Sequence, residues 1–287
     1  MNVKDAIEQC VELFETRKVE SPRLSAELLV AFAASMDRAQ VLANPSKELS
    51  SHEQIQLKSI LQRRAKHEPI PYITGEIEFF SIPFSISNGV FIPRPDTETL
   101  VSAALDILKK LNDPKIYDMG FGCGNVIISL ALNLESGVFW GSDISSQAYK
   151  VAMQNVTRHE LNSYVTLREG NLFAPMRTEL TKDFDMIVSN PPYVKTGDIQ
   201  KLPNQIRDFE PVIALDGGRD GMNFIKSFLD GAPPMLKPGG YLLLEADPTI
   251  MSTIRTEVRR RGLFEDFAVH NDASGKERVC QFRTKSR

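Results

Sequence analysis

The first part of the chain carries apolar residues at helical spacing. Ala6, Cys10 and Phe14 follow one another at intervals of one helical turn. Ser21 and Pro22 then fit the start of a second helix, because serine can cap a helix and proline is tolerated at the first helical position. These patterns predict a helical N-terminal part.

A further helix is predicted to begin near residue 51. Ser51 and Gln54 have the spacing of a capping box, and an apolar face follows from Leu57 onward. We therefore assign residues 1–70 to a small helical domain. This domain either recognises a substrate or serves only as a stabilising cap or dimerisation element.

Alternating apolar residues follow over residues 71–95, which include the stretch "FFSIPFSISNGVFI". Ser87-Asn88-Gly89 supplies a turn signal, so we predict a β-hairpin that links two domains. Asp96 then fits the N-cap of a helix whose apolar stripe begins at Leu100 and ends at Leu111.

Short apolar runs alternate with helical patterns from about residue 115. This alternation predicts an α/β fold over residues 96–287, with a mostly parallel sheet covered by helices on both faces. Ligands of such sheets bind at the carboxyl ends of the strands. Residues that directly follow strands are therefore the candidates for chemistry.

Composition narrows the class of protein. The 287 residues are 42% hydrophobic and 25% charged, and a net charge of −3 argues against a broadly basic nucleic-acid binder. The three cysteines are far apart and lack metal-ligand spacing, which suits a reducing cytoplasm. No apolar run approaches the roughly 18 residues of a membrane span. We expect a cytoplasmic protein with no metal and no membrane partner.

Glycines at alternate positions follow the strand that ends near Asp118: Gly120, Gly122 and Gly124. They let the backbone turn sharply and approach a ligand at a helix N-terminus. A dinucleotide fingerprint needs Gly-x-Gly-x-x-Gly, which neither of the first two glycines begins. The spacing instead resembles the nucleoside loop of class I S-adenosylmethionine-dependent methyltransferases.

Two further strand ends support a nucleoside ligand. Asp143 ends the next apolar run, where its carboxylate can accept hydrogen bonds from both ribose hydroxyls, cap the following helix, or do both. Asn171 stands where such methyltransferases usually carry an acidic residue, so a contact with the adenine amino group stays open. The side chain of Leu172 could pack against the face of the adenine ring.

The tetrapeptide Asn190-Pro191-Pro192-Tyr193 follows the fourth strand. It is the signature of methyltransferases that act on an amino nitrogen attached to a planar, conjugated group. The Asn190 side-chain oxygen and the Pro191 carbonyl can each accept one N–H, which aims the delocalised lone pair at the methyl donor. The prolines keep that carbonyl rigid, and Tyr193 offers a ring for the flat substrate to stack on.

Several segments together resemble the peptide chain release factor glutamine methyltransferases (PrmC or HemK): residues 67–101, "DMGFGCGNVIISLAL", "FDMIVSNPPYV", "FEPVIALDGGRDG" and "PGGYLLLE". The resemblance implies a Rossmann-like methyltransferase fold with a seven-stranded sheet. It also implies transfer of a methyl group from S-adenosylmethionine to the glutamine amide in the Gly-Gly-Gln loop of class I release factors, leaving S-adenosylhomocysteine.

The same resemblance assigns residues to roles. The cofactor site is implied to comprise Asp118, Gly120, Phe121, Gly122, Cys123, Gly124, Asp143, Asn171, Leu172 and Asn190. The substrate site is implied to comprise Asn190, Pro191, Pro192 and Tyr193, of which Asn190, Pro191 and Tyr193 are catalytic. Phe91 and Arg94 are implied to lie near the mouth of the pocket. Cys123 departs from the family, in which serine or threonine is usual.

Two alternatives stay open. Enzymes that methylate adenine N6 or guanine N2 in nucleic acids also use this tetrapeptide, but they generally need a basic channel. The dense basic runs here, 63–66 and 259–261, lie on predicted helices and are interpreted as solvated faces. The other alternative is a binding scaffold that has lost catalysis, which the intact motifs speak against.

Overall fold

The computed structural model describes residues 1–175 and 183–286. Contacts divide the chain into two compact units, Met1–Glu76 with Pro203–Phe209, and Ile77–Leu202 with Glu210–Arg287. The division thus comes at Glu76, and a short segment from later in the chain joins the first unit. The range predicted for the α/β domain includes residues 176–182 and 287, which lie outside the described residues.

The first unit is helical. Its helices are α1 (Val3–Thr16), α2 (Pro22–Ala33), α3 (Arg38–Ala43), α4 (Ser51–Arg64), α5 (Ile70–Thr74) and the short helix Asn204–Arg207. Large apolar side chains from three of them, Phe14, Leu29 and Leu57, meet in one buried cluster. Burial of such side chains stabilises the unit by about 1.5–3 kcal/mol each.

The helix starts of this unit differ in detail from the prediction. The capping box of α4 is formed by Ser50 and Glu53, one residue earlier than the Ser51 and Gln54 pair. Ser21 does occupy the N-cap position of α2, but its backbone is left-handed and its side chain caps nothing. Both predictions of a side-chain cap were therefore wrong, although the helices themselves begin where expected.

Arg64 lies in the interior of the first unit. Its side chain is 3% exposed and bonds to Ser25 Oγ, to the carbonyl oxygens of Glu20 and Glu68, and to Gln205 Oε1. The interpretation of this basic run as a solvated face was therefore wrong for Arg64, because the guanidinium satisfies buried oxygen atoms.

A two-stranded hairpin lies at the start of the second unit. Its strands are β1 (Glu76–Phe79), whose first residue still belongs to the first unit, and β2 (Ile82–Ser85). Its turn is formed by Phe80 and Ser81, both in the left-handed region with φ of 53° and 59°. The turn at Ser87-Asn88-Gly89 exists but follows β2, so it does not connect the hairpin. The predicted turn was wrong because the chain closes the hairpin without glycine or asparagine, with the Phe80 N–H held by Glu98 Oε1 at 2.9 Å.

The remaining elements alternate as predicted. The strands are β3 (Lys115–Met119), β4 (Val138–Asp143), β5 (Val165–Glu169), β6 (Phe184–Ser189), β7 (Leu236–Glu245), β8 (Phe264–Asn271) and β9 (Glu277–Thr284). The helices are α6 (Glu98–Leu108), α7 (Asn125–Leu132), α8 (Ser146–Arg158), α9 (Asn223–Gly231) and α10 (Met251–Arg261).

These strands form a seven-stranded sheet in the order β5-β4-β3-β6-β7-β9-β8. All neighbours are parallel except β9, which is antiparallel to both β7 and β8. The predicted α/β fold with a mostly parallel sheet is confirmed. Within residues 1–175 and 183–286, the helices are all too short or too polar to cross a membrane.

Asp96 does not cap α6. A 3-10 turn, Pro95–Thr97, precedes the helix, and the Asp96 carboxylate forms an ion pair with Arg278 at 2.8 Å. The helix itself buries Leu100 and Leu108 as predicted, whereas Leu111 lies beyond its end and is 38% exposed.

The side chain of Asn155 ties three parts of the second unit together. This α8 residue is fully buried, and its Nδ2 donates to the carbonyl oxygens of Ser85 at 2.9 Å and Cys123 at 2.8 Å. Its Oδ1 accepts the Ser85 N–H at 2.7 Å. The amide therefore fixes the hairpin against the loop that follows β3.

Asn155→Ala should lower the free energy of unfolding by about 2–4 kcal/mol, because it leaves buried backbone groups without partners. Urea denaturation measures the loss. Gln154→Ala, at an exposed position of the same helix, should change stability by less than about 0.5 kcal/mol. Equal stabilities of the two variants would show that the amide does not hold the loop.

Candidate active site

The carboxyl ends of the central strands lie in line along one edge of the sheet. Met119 of β3 pairs with Ser142 of β4, and Ser189 of β6 pairs with Leu244 of β7. Since β3 and β6 are also neighbours in parallel register, the segments that follow these strands emerge side by side. The edge thus brings together the glycine loop, Asp143 and the Asn-Pro-Pro-Tyr motif, as the sequence predicts.

The glycine loop between β3 and α7 leaves open space beside its backbone. Gly120 and Gly122 have φ of 76° and 57°, which favours glycine, and a Cβ atom at either position would meet no atom within 4 Å. The neighbouring Phe121 and Cys123 side chains are buried in the core. Only the backbone of these two residues is therefore available to a ligand.

Cys123 carries a protonated thiol. Burial raises the pKa of this thiol to about 12. The group therefore contributes no thiolate near neutral pH, and it fills space in the core at the start of α7.

Asp143 holds the glycine loop to the end of β4. Its Oδ2 accepts the Gly122 N–H and its Oδ1 accepts the Ser145 N–H, each at 2.9 Å. The N-cap of α8 is Ser145, whose side chain accepts from Ala148, so the interpretation of Asp143 as a helix cap was wrong. Each carboxylate oxygen keeps a second lone pair, which leaves acceptor capacity for a ligand.

Asp118 is a buried carboxyl at the end of β3. It is 1% exposed, and its Oδ2 has no hydrogen-bond partner among the residues that the structure describes. Burial is the main cause that raises the pKa of Asp118 to about 8, and the charge of Asp143 adds to it. Near neutral pH the carboxyl is therefore largely protonated, and it can donate a hydrogen bond as well as accept one.

The segment after β5 places Leu172 at the same edge. Its carbonyl oxygen accepts from Ser142 Oγ at 3.1 Å, and its side chain packs against the main core of the unit. Its left-handed backbone, with φ of 47°, is uncommon for leucine. The neighbouring Asn171 is exposed.

The Asn-Pro-Pro-Tyr motif continues directly from β6. Asn190 Nδ2 donates to Thr97 Oγ1 at 3.1 Å, so the side-chain oxygen is the atom left to accept from a substrate. Tyr193 packs its ring against the core and donates its hydroxyl to Glu245 Oε1 at 3.0 Å. Burial and the charge of Glu245 raise the pKa of Tyr193, so the phenol stays a donor.

Phe91 and Arg94 form a cluster of their own. The Arg94 guanidinium lies 4.8 Å from the centre of the Phe91 ring and pairs with the buried carboxylate of Glu210, which also accepts the Ile92 N–H at 3.2 Å. These contacts fix the segment that precedes α6. A location at the mouth of a pocket stays a prediction.

The described parts of the chain offer no set of side chains that could bind a metal ion. Residues 1–175 and 183–286 contain no group of three or more histidine, cysteine, aspartate or glutamate side chains that could hold an ion.

Known proteins resemble this chain over nearly its whole length. A model of the PrmC N-terminal domain matches residues 5–75, and one of the methyltransferase small domain matches residues 84–206. A release factor glutamine methyltransferase from Moorella thermoacetica is 36% identical over 278 residues, 97% of each chain. Another from Geobacter sulfurreducens is 37% identical over 261 residues, 91% of this chain and 89% of that one. The chain belongs to the release factor glutamine methyltransferase family.

Solved structures share the fold of this family member at lower identity. A methyltransferase from Pyrococcus furiosus has a TM-score of 0.53 and is 17% identical. The match covers 83% of this chain and 100% of the other. A 16S rRNA N2 methyltransferase from Thermus thermophilus, in complex with S-adenosylmethionine and guanosine, has a TM-score of 0.53 at 17% identity, over 74% and 50% of the two chains. At this identity the likeness concerns the fold alone.

Two residues of this family member that touch the motif received no role in the sequence analysis, although both lie in segments that carry the family resemblance. Thr97 contacts Asn190, and Glu245 contacts Tyr193. Glu245 ends β7, so the rule that functional residues follow strands could have found it. Thr97 precedes a helix, and only its place within residues 67–101 of the resemblance points to it.

Proposed function

We propose that this protein transfers the methyl group of S-adenosylmethionine to the side-chain amide nitrogen of the glutamine in the Gly-Gly-Gln motif of class I release factors. The observation that carries the proposal is the orientation of Asn190, whose amino group is held by Thr97. Its oxygen is thereby free to accept an N–H from a substrate. The names of the relatives support glutamine as that substrate, and such a substrate places the reaction in the cytoplasm.

The residues around the glycine loop fit the cofactor. Open space beside Gly120 and Gly122 admits a ligand close to the backbone. Asp143 keeps acceptor capacity for ribose hydroxyls, and Asp118 has a buried oxygen without a partner among the described residues. The cofactor, when bound, supplies an electrophilic methyl group on a sulfonium, and S-adenosylhomocysteine is the product.

The motif acts by orienting the nitrogen. An amide nitrogen is a poor nucleophile because its lone pair is delocalised. Asn190 Oδ1 and the Pro191 carbonyl oxygen each accept one of its two N–H groups. These two hydrogen bonds turn the lone pair toward the methyl group. After the nitrogen has gained the methyl group, it loses one proton to water, so no strong general base is required.

The charges on the surface favour a protein substrate over a nucleic acid. In the first basic run, Arg63 pairs with Glu68, and Arg64 is buried. In the second run, Arg261 pairs with both Asp230 and Glu257. Much of the positive charge of these runs is therefore neutralised within the protein, whereas a nucleic-acid channel needs basic groups that face phosphates.

Asp143→Ala should weaken binding of S-adenosylmethionine by about 10- to 150-fold, because charge-assisted hydrogen bonds are lost. Isothermal titration calorimetry measures the affinity. Asp143→Asn serves as the matched comparison, since it keeps one acceptor oxygen and should lose less. Unchanged affinity in both variants would leave Asp143 only its bonds to Gly122 and Ser145.

Asn190→Ala should lower turnover by about 100-fold or more, because one of the two acceptors is lost. Its affinity for S-adenosylmethionine should change much less than that of Asp143→Ala. The assay follows labelled methyl transfer to a purified release factor, and mass spectrometry locates the methyl group.

Near-normal turnover of Asn190→Ala would refute this positioning role. Label on RNA or DNA, with none on the release factor, would instead establish the nucleic-acid alternative. In wild-type protein we expect the methyl group on the glutamine amide of the release factor.

The helical unit should recognise the wider surface of the release factor, since a glutamine side chain alone is too small to select one protein. A truncated protein that begins at residue 76 should bind S-adenosylmethionine normally but lose about 100-fold in kcat/KM on the intact factor, mainly through KM. On a short Gly-Gly-Gln peptide it should match the full chain.

A protein that begins at residue 76 keeps Gln205 but lacks its partners Arg64 and Glu20. The truncation therefore needs a control for folding. Circular dichroism and cofactor affinity must show that the shortened protein is folded. An unchanged kcat/KM on the intact factor would make the helical unit a structural cap only.

A further inference from the structure

The segment 210–221 lies against the backbone of the Asn-Pro-Pro-Tyr motif. A Cβ atom added to Gly217 would lie 2.6 Å from Tyr193 Cα and 2.8 Å from the Pro192 carbonyl oxygen. One added to Gly221 would lie 2.6 Å from the Tyr193 carbonyl oxygen. A side chain does not fit at such distances, so both positions need glycine. The segment, to which the proposed chemistry gives no role, therefore fits closely against the motif.

Backbone hydrogen bonds join the later part of this segment to the residue that follows the motif. The Val194 N–H donates to the Leu215 carbonyl oxygen at 3.0 Å, and the Val194 carbonyl oxygen accepts the Gly217 N–H at 2.8 Å. Between these two partners, Asp216 pairs with Val194 as in a parallel ladder, and its Oδ1 accepts from Thr196 Oγ1 at 2.7 Å. This part of the segment is thus fixed beside the motif.

The other end of the segment is held by a buried carboxylate. Glu210 is 5% exposed, pairs with Arg94 and accepts the Ile92 N–H at 3.2 Å. The Arg94 carbonyl oxygen accepts the Thr97 N–H at 3.0 Å, and Thr97 Oγ1 accepts from Asn190. Both ends of the segment are therefore connected, through printed contacts of the backbone and side chains, to residues that belong to the motif or adjoin it.

Two apolar side chains between these ends are exposed. Val212 and Ile213, here termed the apolar pair, are 51% and 54% exposed. The Val212 carbonyl oxygen accepts the N–H groups of Leu215 and Asp216, each at 2.9 Å, so the turn is folded back toward the residues that pair with Val194. Among the exposed large apolar residues of the described chain, no other two are neighbours in sequence. Exposed apolar residues that adjoin one another mark interaction sites more often than single ones do.

The Gly-Gly-Gln motif itself has nothing to cover the apolar pair. Its glycines lack side chains, and its glutamine amide is held at Asn190 and Pro191 in the proposed reaction. Asn190 precedes Val194 by four residues, and the pair lies one strand spacing and one turn beyond Val194, so it is at most about 25 Å from Asn190. About seven extended residues span that distance. Residues of the release factor that flank the glutamine therefore reach the pair.

We propose that Val212 and Ile213 bind an apolar side chain of the release factor that lies within about seven residues of the methylated glutamine. Removal of this side chain and of the pair from water favours the complex. The contact is remote from the reacting nitrogen and equal in the ground and transition states, so it acts on KM and leaves kcat unchanged. The inference rests on the proposed function and names part of the surface that recognises the substrate.

The test removes the apolar character of the pair and measures methyl transfer to a purified class I release factor. Val212→Ser combined with Ile213→Ser should raise KM by about 10- to 30-fold, while kcat and the affinity for S-adenosylmethionine stay within about threefold. The conservative combination Val212→Ile with Ile213→Leu should keep KM within about threefold of wild type. Val138→Ser, at an exposed valine where β4 begins, should leave KM unchanged.

A peptide scan supplies a second readout. Peptides of about 15 residues carry a central Gly-Gly-Gln, and leucine replaces serine at one flanking position at a time. With the wild-type protein, leucine at one or two positions should raise kcat/KM by about 5- to 10-fold, whereas the serine double variant should show no such preference. A capped Gly-Gly-Gln tripeptide should be methylated equally by both proteins, because it is too short to reach the pair.

Three outcomes would overturn the inference. A wild-type KM in the serine double variant would show that the pair makes no contact with the substrate. A fall in kcat at unchanged KM, or equal losses in the serine and conservative variants, would show that the segment only holds the motif. Absence of a leucine preference in the wild-type scan would also refute the contact, and this readout decides if the serine variant fails to fold.

Failure of the proposed function would look different. A wild-type protein that leaves the glutamine of the release factor unmethylated would refute that function itself. Normal methylation by the wild-type protein, with no effect of either change at the apolar pair, would refute only the present inference.

Discussion

The register between neighbouring parallel strands is the constraint on which the rest of this structure depends. Met119 lies beside Ser142, and Ser189 lies beside Leu244, so loops that are far apart in sequence start at one edge. A shift of one residue in either pair would turn every side chain of that strand to the opposite face. The buried apolar residues on these strands oppose such a shift. The core therefore does more than stabilise the fold, because it aligns the groups that the proposed chemistry needs.

The pKa values separate the carboxylates at this edge from one that is purely structural. Burial raises the pKa of Asp118, Asp143 and Glu245, and none of them has a cation that cancels this cost. Glu27 in the helical unit is also buried, but hydrogen bonds from Arg23 and Arg38 lower its pKa. Glu210 lies between these two cases, because Arg94 opposes the rise of its pKa but burial still outweighs the effect of that cation. The edge of the sheet thus holds three carboxyl groups without a cation that offsets their burial, a pattern that is common where a site binds a ligand.

The sequence predicted what depends on local periodicity and missed what depends on distant partners. Strand and helix alternation predicted the α/β fold and the edge at which Asp143 and Asn190 lie. Ser50 and Ser51 are adjacent, so the sequence left the position of the α4 cap uncertain by one residue. The turn of the hairpin contains no glycine or asparagine, so no sequence signal marked it. The bond between Thr97 and Asn190 joins residues separated by 93 positions. Such a contact exists only after the sheet has formed, so no local pattern along the chain predicts it.

The orienting chemistry that we propose for the motif does not by itself select glutamine. An acceptor pair made of Asn190 Oδ1 and the Pro191 carbonyl would hold the amino group of a nucleic-acid base as well as that of an amide. Selection must therefore come from surfaces beyond the reacting atoms. Pairing of Arg261 with Asp230 and Glu257 removes positive charge that a nucleic acid would need. A protein substrate requires no such field, and the proposed role of the helical unit, recognition of the wider surface of the release factor, would supply the selection that the motif lacks.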